Sequence, residues 1–177
     1  MNKLKLLFML GAVMLAGCDT MTVAECKVAD WGRVGFADGA RGESESRLAA
    51  HTESCAQAGV TPHAQAYRQG WDAGILRFCT AASGWHEGVQ GASGKETVCR
   101  GQPGYEAFAR YLDAGLQVYR TNAAMRHNFA ESKRLQKKLE ETASDDDKRR
   151  LRDELHHMDH EQSRLRQLLS LQQMLAP

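Results

Sequence analysis

The chain has 177 residues, with 23 lysines and arginines against 22 aspartates and glutamates, and it contains five cysteines. This length allows one ordinary domain or a small domain with an appendage. A hydrophobic fraction of 42% excludes a chain that is disordered by composition. A net charge of +1 argues against a dedicated nucleic-acid-binding protein, which usually carries a basic excess on one face.

The N-terminus has the pattern of a bacterial lipoprotein signal over residues 1–17. Lys3 and Lys5 precede an apolar run at residues 6–15, which is too short to span a hydrocarbon core of ~30 Å. Small residues then lead directly to Cys18, and the stretch resembles the lipobox, in which the cysteine receives a diacylglycerol and its new amine is then acylated. A plain signal peptide with a coincidental cysteine is the alternative.

Lipidation at Cys18 would hold residues 18–24 at a bilayer as a short tether. Two or more acyl chains, such as palmitate, make membrane attachment stable. The segment from residue 19 to residue 25 spans at most ~25 Å when extended. We therefore expect a protein of the cell envelope that faces the periplasm, and Asp19, which resembles a retention signal, slightly favours the inner membrane over the outer.

Four cysteines remain after Cys18, namely Cys26, Cys55, Cys79 and Cys99. In an exported chain they indicate two disulfides. Three pairings exist, and we favour Cys26 with Cys55 and Cys79 with Cys99 because each closes a modest loop. A zinc site made from these thiolates, or from His51 with Cys55, is the competing interpretation, although the chain has no CxxC spacing.

Glycines and aromatic residues are concentrated in residues 25–120, which we interpret as one disulfide-bonded domain. Fourteen of the sixteen glycines lie between Gly32 and Gly115. They form a loose repeat of four copies, each with an aromatic residue (Trp31, Tyr67, Trp85 or Tyr111) and glycines at steps of mostly three and four. This spacing places these positions on one face of a helix. We expect a mainly α fold in which the glycines allow close helix packing. A ligand-binding groove of aromatic faces and a strand-and-turn structure are the alternatives.

Several side chains on this repeat are candidates for ligand or partner contact: Trp31, Asp38, His51, Trp71 and Trp85. Asp38 with Arg41 suggests a buried ion pair or a helix end. Residues 81–103 are predicted to be an exposed loop that presents Trp85, and Thr61 before Pro62 is predicted to cap a helix. The chain lacks GxSxG, HExxH and phosphate-loop motifs, so we assign no catalytic residue, metal or cofactor.

Residues 121–177 are predicted to form a charged helical hairpin. This tail has no glycine, and its 11 basic and 10 acidic side chains nearly balance. Phe129, Leu135 and Leu139 mark one helix, and a second series with coiled-coil spacing marks the other, with Gln162 as its polar member: Leu151, Leu155, Met158, Leu165 and Leu169. Ser144 and three aspartates after it predict the start of the second helix. His156, His157 and His160 are interpreted as residues of a solvated face.

The spacing of cysteine, glycine and aromatic residues resembles a family of proteobacterial lipoproteins catalogued as domain of unknown function 2799. The resemblance covers roughly residues 24–120. It rests on Glu25-Cys26-x3-Asp30-Trp31-x3-Gly35-x2-Asp38-Gly39-x2-Gly42, on Arg47-x3-His51-x3-Cys55-x3-Gly59-Val60, on Ala66-Tyr67-x2-Gly70-Trp71-x2-Gly74-x4-Cys79-Thr80 and on Val98-Cys99. The resemblance implies export, lipidation and a domain with paired cysteines.

Together these patterns predict an envelope lipoprotein that acts through structure or protein contact. Its partners would be the lipid bilayer, through acylated Cys18, and an envelope protein or a second copy, through residues 121–177. A glycan- or small-ligand-binding module, or an enzyme that uses the Trp, Asp and His groove, is the alternative function.

Overall fold

The computed structural model describes residues 21–177, which form helices joined by short turns. This part of the chain contains no strand, so the prediction of a mainly α fold is confirmed. None of the helices between residues 21 and 177 has both the length and the apolar character that crossing a bilayer requires. In chain order the elements are α1 (Val23–Val28), α2 (Trp31–Ala40), α3 (Arg47–Ala56), α4 (Ala64–Phe78), α5 (Ala81–Val89), a 3₁₀ turn (Ser93–Lys95), α6 (Glu96–Cys99), α7 (Tyr105–Glu141) and α8 (Asp145–Gln173).

Short polar side chains begin most of the helices. Ser144 accepts a hydrogen bond from the amide of Asp147, so the predicted start of α8 is confirmed. The prediction for α4 was wrong by two residues. Its N-cap is His63, whose Nδ1 accepts from the amide of Ala66, and Thr61 lies outside the helix.

Two disulfides join the short helices to their neighbours. Cys26 of α1 is bonded to Cys55 of α3, and Cys79 at the end of α4 is bonded to Cys99 of α6. This is the pairing that we favoured, and all four cysteines are buried. Because each of these sulfurs is in a disulfide, none is a thiolate available for the zinc site that we considered. By restricting the unfolded chain, each bond stabilises the fold by roughly 3 kcal/mol.

Glycines let α2 and α4 touch through their backbones. A Cβ added at Gly39 would lie 2.5 Å from the carbonyl oxygen of Trp71, and one added at Gly35 would overlap the carbonyl of Tyr67. Gly70 of α4 faces the backbone of α2 in the same way. The glycine repeat therefore serves close helix packing, which is the explanation that we favoured from the sequence.

The pair α5 and α7 repeats this arrangement. A Cβ at Gly115 would lie 2.6 Å from the carbonyl oxygen of Trp85, and one at Gly84 would overlap the carbonyl of Phe108. In both pairs the first helix ends at a glycine with positive φ, Gly42 or Gly91, against which an aromatic ring of the second helix packs.

The domain is thus built from two copies of one helical unit. The first copy is α2–α3–α4 and the second is α5–α6–α7. In each copy a short connecting helix carries a disulfide cysteine, and a second glycine with positive φ, Gly59 or Gly101, lies between that helix and the next long one. The four copies of the motif in the sequence are therefore two pairs of helices.

Helices α7 and α8 form the predicted hairpin. α7 continues without a break through residue 121, where composition indicated a boundary. α8 returns antiparallel to it, since Asn128 Nδ2 donates to the carbonyl of Met158, thirty residues further along the chain. The residues buried between the two helices recur at multiples of seven: Thr121, Asn128 and Leu135 on α7, and Leu151, Leu165 and Gln172 on α8.

Phe129 lies on α7, the helix that it marks together with Leu135 and Leu139, but it is not on the buried face of the hairpin. Its side chain is 58% exposed, and the neighbouring Asn128 occupies the buried position instead. Asn128 Nδ2 also donates to Oε1 of half-buried Gln162, at 3.0 Å, so the polar member of the series predicted for α8 contacts α7. A polar pair at such a position fixes the register of two packed helices.

The prediction of an exposed loop over residues 81–103 was wrong for most of its length, since residues 93–99 form the 3₁₀ turn and α6. Residues 81–89 form α5, which packs along α7, and Trp85 is half-buried. The glycines that suggested a loop are the residues that permit this packing.

We expect Gly35→Ala to destabilise the domain by about 2–3 kcal/mol, because the added methyl would force α2 and α4 apart. Gly94→Ala is the matched control, since a Cβ there meets no atom within 4 Å. Thermal unfolding followed by circular dichroism, with both disulfides intact, measures the difference. An equal change in melting temperature for the two variants would contradict the backbone contact.

Candidate functional site

A buried carboxylate, Asp38, lies at the centre of the first unit. It is on the side of α2 that faces α3 and α4, and only 1% of it is exposed. Its Oδ2 accepts hydrogen bonds from His51 Nε2 of α3, at 2.7 Å, and from the Tyr67 hydroxyl of α4, at 2.8 Å. Asp38 therefore links the three helices of the unit.

Two arginines approach the other oxygen of the same carboxylate. A terminal nitrogen of Arg41 donates to Asp38 Oδ1 at 2.6 Å, and Arg47 Nε lies 3.7 Å from it. Arg47 also pairs with Glu43, at 3.6 Å, and Glu43 in turn pairs with Lys95, at 2.9 Å. The ion pair of Asp38 and Arg41 that the sequence suggested is present, but only its Asp38 side is buried.

These donors keep Asp38 ionised. Burial alone would raise the pKa of Asp38, but hydrogen bonds from His51, Tyr67 and Arg41 outweigh burial and hold that pKa below its ordinary value. Burial and the neighbouring carboxylate raise the pKa of the Tyr67 hydroxyl, so Tyr67 stays protonated and acts as a donor. Because a carboxylate only accepts, the proton shared by His51 and Asp38 is on His51 Nε2.

Four of the five predicted contact residues come together here. The ring of Trp31 lies 6.2 Å from that of His51, which is bonded to Asp38. Trp71 is close by, and its indole N–H donates to the carbonyl of Glu43. Trp85 does not join the cluster, since it lies on α5 in the second unit.

Trp31 and Trp71 are only 8% exposed, so their ring faces are covered by the protein. A sugar ring or another flat ligand needs an exposed aromatic face on which to stack. These two indoles therefore complete the core around Asp38, as members of the buried cluster that contains Cys26 and Cys55.

Sequence reasoning did not place Tyr67 or Arg47 in the candidate site, and it considered Arg41 only as an ion-pair partner of Asp38. A comparison of the two units could have identified Tyr67 as a residue of the polar cluster. Its hydroxyl bonds Asp38, whereas the matching residue of the second unit is Phe108, which has no hydroxyl. The position that matches Asp38 is Glu87, which is only partly buried. The polar cluster is therefore a feature of the first unit, and the second unit forms the same helix pair without it.

A cleft of about 340 Å³ lies beside the cluster. It is bounded by α1, α2 and α3, and Asp38 and His51 are its buried lining residues. The remaining lining residues are Met21, Glu25, Val34, Ala37, Arg41 and Arg47.

The polar cluster is suited to holding side chains in fixed positions. Both oxygens of Asp38 already accept hydrogen bonds, which suits the carboxylate to orienting Arg41 at the cleft wall. Among residues 21–177, no three histidine, cysteine, aspartate or glutamate side chains converge on a common point that could hold a metal. That result includes His156, His157 and His160 of α8.

Comparison with known families gives one match. Residues 30–117 match the family model described as "Protein of unknown function (DUF2799)". This segment is a domain of unknown function. It begins at the N-cap of α2, ends within α7, and so includes both helical units and leaves α8 outside. No curated protein and no solved structure matches the chain.

We expect Asp38→Asn to cost about 2–3 kcal/mol of stability at pH 7, because the amide cannot replace an ionised acceptor of charged donors. The folded-state pKa of Asp38 is below its ordinary value of 3.8, so its contribution is complete above that pH. The contribution is lost as the pH falls through the folded-state pKa. The stability difference between the variant and the wild type should therefore begin to shrink as the pH falls below 3.8.

Denaturant unfolding between pH 3 and pH 7 tests this expectation. Asp72→Asn removes the same charge from an exposed position on α4 and should leave the stability nearly unchanged at every pH. A loss for Asp38→Asn that is the same at pH 3 and pH 7 would contradict an ionised Asp38.

Proposed function

We propose that the protein is a lipid-anchored module of the bacterial envelope that acts by binding rather than by catalysis. The observation that carries this proposal is that all four cysteines of residues 21–177 are paired in buried disulfides. Such bonds form and persist in oxidising compartments such as the periplasm. The leader at residues 1–17 and the anchor at Cys18 lie outside the described residues.

The beginning of the described chain supports a position close to the bilayer. Met21 already packs against the buried core. Cys18 lies three positions before Met21, and an extended chain spans about 11 Å over that distance. Packing of the described chain therefore begins closer to Cys18 than the ~25 Å tether that we expected from the sequence. The Cys26–Cys55 disulfide then holds α1 against α3.

The hairpin of α7 and α8 is the proposed binding element. From residue 121 to Glu141, α7 continues for about 30 Å, and Asn128 within this part bonds to α8. Its outer faces carry charged pairs within each helix, such as Arg134 with Glu131 and Arg164 with Glu161. Phe129 is an exposed aromatic residue among them. An arm of this kind suits contact with an envelope protein or with a second copy.

The alternative of a glycan-binding groove loses its main support. That interpretation needs accessible aromatic faces, and Trp31 and Trp71 are buried. The cleft beside Asp38 is lined mainly by charged and aliphatic side chains and contains neither indole.

Metabolic labelling with palmitate tests the anchor. We expect label on the wild-type chain and none on Cys18→Ser, because acylation needs the sulfur of that residue. The double variant Cys26→Ser, Cys55→Ser is the control, and it should keep the label because it retains Cys18. Label that persists on Cys18→Ser would overturn the proposed anchor.

Photocrosslinking in cells tests the hairpin as the binding element. A photoreactive residue in place of Phe129 should form a crosslink to one defined envelope protein or to a second copy. The same residue in place of Leu76, which is 51% exposed on α4, is the matched control and should not form it. Equal crosslinking from both positions would exclude the hairpin as the specific contact.

A further inference from the structure

We propose that the cleft beside Asp38 binds a zwitterionic phosphoethanolamine-type headgroup, with Arg41 holding its phosphate and Glu25 holding its ammonium group. The identification of a membrane lipid as the source of the ligand rests on the proposed lipid anchor. The chemical class of the ligand is inferred from the residues that line the cleft.

Arg41 has the geometry of a phosphate ligand. One nitrogen of its guanidinium is bound to buried Asp38, which fixes the group at the cleft wall, while its side chain remains 59% exposed. A guanidinium has five N–H donors, so several are left for a ligand. Paired N–H groups of this kind match phosphate oxygens in shape and charge.

Glu25 supplies the opposite charge on α1. The amide and the hydroxyl of Thr22 donate to its Oε2, each at 2.7 Å, and hold the pKa of this carboxyl below its ordinary value. The carboxylate is therefore ionised and its direction is fixed, and the residue is exposed. Such a group attracts a primary ammonium.

The charge balance of the cleft favours a zwitterion over an anion. Arg41 and Arg47 face Asp38 and Glu25 in the lining, so the formal charges cancel. A singly charged anionic headgroup would leave Glu25 without a partner cation and close to added negative charge. A phosphate joined to an ammonium by a short linker matches both signs at once. The volume of about 340 Å³ is at the lower end of the usual range for small-molecule sites, roughly 300–1,000 Å³.

The position of the cleft points to a lipid as the source. Met21 lines the cleft, and Cys18 is only three residues before it, a span of about 11 Å. An acylated Cys18 would thus place the mouth of the cleft at the level of the phospholipid headgroups. A soluble phosphoethanolamine compound has the same chemistry, and the experiment separates the two sources.

The test uses the acylated full-length protein with photo-methionine in place of methionine, in vesicles of phosphatidylcholine with equal parts of phosphatidylethanolamine and phosphatidylglycerol. Mass spectrometry then identifies the lipid attached at Met21. We expect the ethanolamine lipid to exceed the glycerol lipid about tenfold, which is the effect of one charge-assisted hydrogen bond. Met174, 70% exposed near the end of α8, is the internal control and should show no preference.

Two variants assign the roles. Arg41→Gln should lower the attachment of both lipids at Met21, whereas Glu25→Gln should remove the preference and leave the phosphate contact. Arg33→Gln changes the same charge at an exposed position of α2 and should change neither. Equal amounts of the two lipids at Met21, or the same result for Arg41→Gln and Arg33→Gln, would overturn the proposal.

Calorimetric titration of the detergent-solubilised protein with glycerophosphoethanolamine tests the cleft independently of the anchor. Binding that is lost in Arg41→Gln supports the site, even if mass spectrometry finds no acyl chain on Cys18, in which case only the anchor fails. Binding of the soluble compound by an acylated protein that shows no lipid preference at Met21 would overturn the lipid as the source. A wild-type protein that binds no glycerophosphoethanolamine would overturn the site itself.

Discussion

Helices α2 and α4, and again α5 and α7, touch through their backbones because glycine stands where they cross. The contacts leave no space for a Cβ at Gly35, Gly39, Gly84 or Gly115. Glycine costs a helix about 1 kcal/mol relative to alanine, so each crossing is stabilised by its packing and by the nearby disulfide rather than by helix propensity. The rest of the domain depends on these crossings, because they set the distance at which side chains of neighbouring helices meet.

The polar cluster is a consequence of the first crossing. Gly35 lets α4 approach α2 at Tyr67, and Asp38, one turn further along α2, then lies within reach of the Tyr67 hydroxyl. α3 adds His51 and is held in place by the Cys26–Cys55 disulfide. In the second unit the connecting helix α6 has only four residues and brings no comparable side chain. The same helix packing therefore gives a first unit with an oriented arginine, Arg41, and a second unit without such a polar cluster.

Prediction from sequence succeeded where apolar residues recur at regular spacing. It failed where the same residue type can be either exposed or buried, because the sequence does not distinguish the two cases. The hairpin was predicted from spacing, and the observed cysteine pairing is the one that we favoured among three. The sequence did not show that Asn128 rather than Phe129 lies between the helices, because the two residues are adjacent and the interhelical hydrogen bonds of Asn128 leave no hydrophobic signal. The first half of the predicted loop was misplaced because glycine marks turns and helix crossings alike.

The sequence by itself determined that the fold is helical, that it repeats a glycine and aromatic motif, and that a charged hairpin follows. These properties depend on residues close together in the chain, and their periodicity records which face each helix buries. Only the tertiary structure decided that four motif copies make two units, that Trp31 and Trp71 are covered, and that Arg41 faces a cleft while Asp38 is buried behind it. Those facts depend on which helices cross and how closely, and contacts such as that between Asp38 and Tyr67, 29 residues apart, leave no local pattern in the sequence.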